Sequence, residues 1–302
     1  MGYREDGVVN ESARGRPAAA LRPYIAQYSG YRQAGVGPAR HRGLPSPYLT
    51  LIFTLDEPLT VAAHPDPAQP PGEYAALLGG LHAAPALVTH DGRQSGIQVA
   101  LSPAGARPLL GWPAGELANT DIHAAEVLGP VADEITGRIR AAASWPDRFA
   151  AIDQVLLARL RAGPAGRAGG GALGPEVGFA WRELLRTGGG VTVSWLADET
   201  GWSERHLRSR FLAETGLTPK AAARVVRFHR ARRLLQRRSA DGVLARSGLA
   251  GLAADCGYYD QAHLAREFRA LAGCAPTDWL AQEFRNVQAT AAALVPGSWH
   301  ER

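Results

Sequence analysis

Along the chain the apolar positions switch from one period to another. In the first half, short runs such as "PYLTLIF", "LTVAA" and "SGIQVAL" are bounded by Pro and Gly clusters, "HPDPAQPPGEY" among them. Runs of this length with such punctuation predict strands of an antiparallel sheet joined by turns. "PAGARPLLG" follows the last of them and predicts a helix beginning at its first proline. Next, "VADEITGRIRAAA" and "PDRFAAIDQVLLARL" carry apolar residues at helical spacing, the second with Pro146 at the first helical position. "RAGPAGRAGGGALGPE" then loses all apolar periodicity, as a linker does. From "EVGFAWRELLR" to about Phe284 the pattern is helical throughout, and the tail "NVQATAAALVPGSWHER" is partly apolar, uncapped and assigned no role.

A chain of 302 residues is long enough for two cores. The expected organisation is an α+β multidomain chain: a β-rich domain with two C-terminal helices over 1–162, a linker over 163–175, an all-α domain over 176–285, and a tail over 286–302.

The helical half contains a repeat. "GWSERHLRSRFLAETGLTP" and "GYYDQAHLAREFRALAGCAP" share Gly-aromatic, then Leu-x3-Phe, then x4-Gly-x2-Pro. Ala197 and Ala253 stand four residues before Gly201 and Gly257, in the apolar segments "VSWLADET" and "AGLAADC". Ala permits a close helix crossing and Gly the positive φ of a sharp turn, which is helix-turn-helix grammar. Leu207 with Phe211, and Leu264 with Phe268, are i,i+4 pairs on the inner face of each second helix. That turns Glu204, Arg205, Arg208 and Ser209 outward in the first unit, and Gln261, Ala262, Arg266 and Arg269 in the second. Gly216 and Gly273 stand at C-caps, Pro219 and Pro276 at the first position of the next helix, and Thr218 at an N-cap. The joining segment "PKAAARVVRFHRARRLLQ" predicts a helix about 25–30 Å long, able to set two recognition helices about one duplex turn apart. It carries Arg224, Arg227, Arg230, Arg232 and Arg233, some of which must face solvent within reach of phosphates.

Charge agrees with a polyanionic partner. The net charge is +5 with pI near 9.5, and Lys220 is the only lysine, so nearly all the positive charge is arginine. Arginine presents a planar fork of donors that matches phosphates and guanine edges. Cys256 and Cys274 are too few for a disulfide framework and lack zinc-site spacing; Cys256 reads as a small buried hydrophobe. The first residues, "MGYREDGVVNESARGRP", have no apolar core of a signal sequence, and no run is long enough to span a bilayer. A cytoplasmic location is expected, with no membrane partner.

Residues from about Glu176 to Phe284 resemble the DNA-binding domain of the AraC/XylS family of bacterial transcription regulators. The family's pattern I-A-x3-G-F, then F-x3-F-[KR], then G-x2-P, is similar to "LAADCGYYDQAHLAREFRALAGCAP", with Leu252, Tyr258 and Leu264 in place of commoner residues. "RFHRARRLL" is similar to R-L-x2-A-x2-L-L through Arg227, Phe228, Ala231, Leu234 and Leu235. The resemblance implies that each unit places its second helix in the major groove of double-stranded DNA. The positions matched are Ser203, Glu204, Arg205, His206, Arg208, Ser209 and Arg210 in the first unit, and Tyr259, Asp260, Gln261, His263, Arg266 and Arg269 in the second. Arg can fork onto guanine, Glu can accept from cytosine and Gln can pair with adenine, while Ser203 is also a natural N-cap and Arg269 a candidate phosphate contact. "RHRGLPSPYLTLIFTLDEPLTV" and "GIQVALSPAGARPLLGWPAGEL" look like the cupin-like first domain of a subset of these regulators, which senses a ligand or mediates dimerisation.

The resemblance makes a small-molecule effector, RNA polymerase and a second copy of the chain candidate partners; no cofactor is expected. His41, His64, His82, His90 and His123 lack the clustered spacing of a cupin metal site, and isolated histidines read as surface or hydrogen-bonded core residues. His41 and Arg42, in "HRGLPS", are the candidates for a ligand-pocket rim or a subunit contact, against an exposed basic loop. No GxSxG, phosphate-loop or paired-carboxylate motif indicates an enzyme. The alternatives are a sequence-independent architectural DNA binder and a DNA-processing enzyme that docks through its helix-turn-helix units.

Overall fold

A computed structural model of the chain describes residues 2–5, 8–163 and 173–288. In the first domain the strands are β1 (Gly2–Glu5), β2 (Val8–Gly15), β3 (Ile25–Ala34), β4 (Ala39–Gly43), β5 (Leu49–Thr54), β6 (Leu59–Ala63), β7 (Gly72–Tyr74), β8 (Ala76–Gly79), β9 (Ala86–His90), β10 (Gln94–Leu101) and β11 (Asp121–His123). They form two antiparallel sheets, ordered β1-β2-β3-β10-β5-β8-β11 and β4-β9-β6-β7. The helices of this domain are α1 (Pro103–Gly105), α2 (Ala124–Leu128), α3 (Pro130–Ala141) and α4 (Trp145–Ala162), with a π-helical turn over Ala106–Leu110 and a 3-10 turn over Ala114–Leu117. The three apolar runs become β5, β6 and β10. The helix expected at "PAGARPLLG" starts at Pro103, and α4 starts one residue before Pro146, at Trp145.

Register fixes what each face of the larger sheet does. Phe53 pairs with Ile97, and Leu51 with Val99 and Tyr28 beyond it, so these side chains share one face. That face is buried with Ile135 and Ile139 of α3 and with Phe149 and Ile152 of α4 in the main core. Two glycines let α4 lie close. A Cβ on Gly30 would stand 2.4 Å from the Trp145 ring, and one on Gly15 2.4 Å from the Phe149 ring. The opposite face carries Gln98 beside Ile52 and Ser29, then Ala100 beside Thr50 and Gln27. It looks toward the smaller sheet, and only a small cluster of Leu59, Val61, Tyr74, Leu77, Ala86 and Val88 fills the space between them. Gln27 and Gln98 therefore stay exposed although β3 and β10 are central strands.

The second domain is all helical: α5 (Pro175–Arg186), α6 (Val193–Thr200), α7 (Glu204–Thr215), α8 (Pro219–Ala240), α9 (Leu244–Asp255), α10 (Gln261–Ala272) and α11 (Pro276–Gln288). The expected linker runs between the end of α4 and the start of α5, and residues 164–172 of it lie outside the described residues. So does the tail from 289 onward, while α11 continues past the expected helical end near Phe284. The core continues through both domains in one cluster.

Candidate nucleic-acid interface

The first helix-turn-helix unit is α6 and α7. Thr192 caps α6 by accepting the Trp195 N–H at 3.2 Å, and α6 ends on Gly201 at φ 68°, where an L side chain would be strained. Ser203 then caps α7, its hydroxyl accepting the His206 N–H at 3.3 Å. Ala197, Leu207 and Phe211 are buried, the last with its ring 5.7 Å from Trp181. The second unit, α9 and α10, repeats this with Ala253, Gly257 at φ 74°, Leu264 and Phe268. Asp260 is its N-cap, accepting the His263 N–H at 2.6 Å. Gly216 and Gly273 close α7 and α10 in the left-handed conformation, and Pro219 and Pro276 open α8 and α11. The α9 helix is kinked at Gly248 (φ 60°), which the sequence pattern did not signal.

Burial sorts the matched positions. Ser203, Glu204, Arg205, His206, Arg208, Ser209 and Arg210 are exposed, as are Tyr259, Asp260, Gln261, Arg266 and Arg269. Tyr259 is 93% exposed, an unusual placement for a large aromatic ring, whereas its neighbour Tyr258 is buried. His263 differs from the rest. It is half-buried, its ring nitrogen accepts the Tyr259 N–H at 3.3 Å, and its ring lies edge-on to Tyr258 at 5.2 Å, so it also braces the turn.

The joining helix α8 has 22 residues and is about 33 Å long. Much of its arginine content is engaged by neighbouring elements. Arg224 pairs with Glu267 of α10 at 3.1 Å, Arg227 donates to the Gly189 carbonyl at 3.1 Å and stands 5.5 Å from the Tyr258 ring centroid, and Arg238 pairs with Asp255 of α9. These bonds tie α8 to its neighbours. Arg230 and Arg233 remain exposed.

Arg232 and Arg233 face the other domain. Together with His229, Gln236 and Trp279 they line a cavity of about 760 Å³ that opens into the space between the two sheets. His41 and Arg42 line it too, within strand β4 and not in a loop ahead of it, and Arg42 donates to Gln282 of α11. Burial, with His90 nearby, pushes His41 down to about 4. His229, edge-on to Tyr48 at 5.9 Å, is pushed down to about 3 by burial and then by Arg232 and Arg233. His64 is hydrogen-bonded to Asp121 at 2.7 Å in a buried network with Tyr74 and Gln69. Among the described residues, no three His, Cys, Asp or Glu side chains are grouped to hold a metal ion. Cys256 is buried and Cys274 partly so, both as free thiols. Sequence reasoning missed the groove residues Tyr48, Thr50, Gln98 and His229. The one available signal was a glutamine in the middle of "SGIQVAL", among residues that are otherwise buried.

Residues 196–282 match a family model described as a helix-turn-helix domain, of the AraC type, and residues 13–123 match one described as a domain of unknown function. The second domain therefore carries an AraC-type helix-turn-helix domain. The chain's two-domain architecture is that of ToxT from Vibrio cholerae O395, at 11% identity, TM-score 0.50, and coverage of 85% of this chain and 97% of that one. Further similar structures are an unsaturated-fatty-acid-bound ToxT from Vibrio cholerae strain SCE256 (9% identity, 93% and 98% covered, TM-score 0.46) and the AraC-like transcriptional activator CuxR (15% identity, 76% and 81% covered, TM-score 0.32). At these identities the likeness is one of fold alone. No curated protein matches the chain. The AraC-type helix-turn-helix domain marks the chain as a DNA-binding protein of transcription, and no described helix is long and apolar enough to cross a membrane.

Proposed function

We propose that the chain is an AraC-family regulator that reads a two-part DNA site in a sequence-specific way. Its α7 and α10 would enter successive major-groove segments on one face of the duplex. The observation that carries this is the duplicated exposed face: Arg205, Arg208 and Ser209 on α7, and Gln261, Arg266 and Arg269 on α10, on units joined by a helix about 33 Å long. One turn of B-DNA is about 34 Å, so the connection suits half-sites one turn apart. Base edges are read by Arg, Gln and Glu, and phosphates by Arg269, by the exposed Arg230 and by the capped N-terminus of α7. The first domain modulates this activity through a small effector held between its sheets, where a large cavity reaches the second domain. A monomer already carries two recognition helices; a second copy and RNA polymerase are the further partners proposed, in the cytoplasm.

Selection of bound duplexes from a random pool at low and near-physiological salt tests the reading. A two-part motif spaced by about one helical turn and surviving the higher salt is expected. Binding that falls steeply with salt and yields no motif would instead mean that the arginines neutralise phosphates without reading sequence.

A further inference from the structure

The groove between the domains has a definite chemistry. Arg14 of β2 and Arg232 and Arg233 of α8 line it, with Arg42 of β4 beside α11 at one side. Of the acids that line it, Asp121 is engaged by His64 at 2.7 Å, and Glu11 stands opposite Arg32 across β2 and β3, on the sheet face that Gly30 turns to α4. The low pKa of His229 reports the same positive field, since Arg232 and Arg233 add to the effect of burial there. The floor is different. Gln27, Gln98 and Thr50 stand on the open face of central strands, beside an apolar strip of Ile52, Leu77 and Val61.

From this we infer that the groove binds a hydroxylated organic anion, of the sugar-acid or sugar-phosphate type. Its acidic group sits at Arg232 and Arg233, and its hydroxyls meet Gln27, Gln98 and Thr50. Guanidinium forks bind carboxylate and phosphate oxygens with charge-assisted hydrogen bonds. Amides and a threonine hydroxyl offer both donors and acceptors, which is what a run of hydroxyls needs. A purely hydrocarbon body over Gln27 and Gln98 would strip water from two amides and replace none of their hydrogen bonds. The strip at Ile52, Leu77 and Val61 accommodates the C–H face of the ligand instead. A volume of about 760 Å³ accommodates such a molecule. Because α8 also joins the two helix-turn-helix units, an anion held by both domains fixes the DNA-reading pair against the first domain. The inference rests on the proposed effector reading and names the effector's class.

The test is calorimetric titration of the full chain, without DNA, with D-gluconate, glucose 6-phosphate, D-glucose and decanoate. At least one of the two hydroxylated anions binds, neutral glucose binds at least about tenfold more weakly, and decanoate does not bind. Gluconate and glucose 6-phosphate separate carboxylate from phosphate recognition. Arg233→Gln, at an exposed position, and Arg232→Gln each weaken the anion about tenfold, and Gln98→Ala weakens it also. If neither hydroxylated anion binds, if both arginine variants bind it as the parent does, or if decanoate is preferred, the inference is overturned. DNA selection with the unliganded protein is scored separately. A recovered motif with no anion binding overturns this inference alone, and anion binding with no motif overturns the sequence-specific reading alone.

Discussion

Arg107 and Glu214 join the two domains by a forked ion pair. The Arg107 Nη2 donates to both carboxylate oxygens, at 3.0 and 3.1 Å, and its Nε donates to Oε2 at 3.2 Å. Arg107 lies in the π-helical turn over Ala106–Leu110, and Glu214 in the last turn of α7, the first recognition helix. Their side chains are 25% and 12% exposed, which leaves the pair less screened than an ordinary surface bridge. The end of α7 away from its exposed N-terminal residues is therefore fastened to the first domain. Arg107→Ala is expected to cost about 1–3 kcal/mol in chemical unfolding of the full chain, because it leaves Glu214 without its charged partner. Arg107→Lys keeps the charge but loses the fork and should fall between. An alanine variant that unfolds at the parent's midpoint would mean the pair does not hold the domains together.

The same junction depends on a glycine. A Cβ on Gly115, in the 3-10 turn over Ala114–Leu117, would stand 2.2 Å from the Ala213 carbonyl oxygen, a backbone atom that cannot move away alone. Gly115→Ala should therefore push the C-terminal end of α7 off the first domain. Combined with Arg107→Ala, its effect should be less than additive, since either change alone loosens one shared contact. Strict additivity in a double-mutant cycle would assign the two to separate events.

The caps give a prediction that separates folding from reading. Ser203→Ala and Asp260→Ala each remove an acceptor for a backbone N–H at a recognition-helix N-terminus and should each cost about 1 kcal/mol of stability. Ser203→Gly should cost only a few tenths of that unit, because glycine is tolerated at an N-cap. If Ser203→Gly, stable as it is, still binds the selected site as the parent does, the Ser203 hydroxyl acts as a cap and not as a DNA contact.

Why the second domain was legible and much of the first was not follows from where the information sits. The helix-turn-helix units are written locally: Gly201 and Gly257 at positive φ, Pro219 and Pro276 at helix starts, and the Leu207–Phe211 and Leu264–Phe268 pairs all act within a few residues. Strand β3, "IAQYSGYRQA", carries no comparable signal. One of its faces packs on α4 and takes Gly30 to admit Trp145, while the other lies over a polar groove, so hydrophobic alternation is lost on both. The arginines of α8 pose the same difficulty. Arg224 meets Glu267, 43 residues on, and no pattern within α8 marks it as paired, whereas Arg233 keeps its exposure and turns to the other domain. His41 and Arg42 stand beside the groove on strand β4, whose partner β9 is some 45 residues away in sequence, so the turn that follows them carries no signal of that place.

Acid should weaken the fold through its buried histidines. His229 titrates near 6.5 in an unfolded chain and is held down at about 3 in the folded one. Between these values the unfolded state binds a proton that the folded state refuses, so stability is complete above about pH 6.5 and falls as pH drops toward 3. His41, held down at about 4, adds a loss over the upper part of the same window. The unfolding midpoint should therefore fall between pH 7 and pH 4, and His229→Gln should flatten that fall. The groups facing His229 are Tyr48, Arg232 and Arg233, the two arginines cationic throughout this range. A slope identical in parent and His229→Gln would place the acid sensitivity elsewhere.

Specific recognition is tested most directly at Arg208 and Arg266. Both are exposed, one on each recognition helix, just N-terminal to the partly or wholly buried turns that anchor them. An arginine forked onto a guanine contributes about 1–3 kcal/mol of discrimination, whereas one on a phosphate contributes affinity to every sequence alike. Arg208→Ala is expected to lose that amount against the half-site read by α7 and leave preference at the other half-site intact, and Arg266→Ala to do the converse. Salt dependence provides the control. A base contact leaves the slope of log affinity against log salt nearly unchanged, while loss of a phosphate contact lowers it by about one. If each variant weakens all duplexes equally with a reduced slope, the two arginines anchor the protein and other side chains, Arg205 and Gln261 first among them, do the reading.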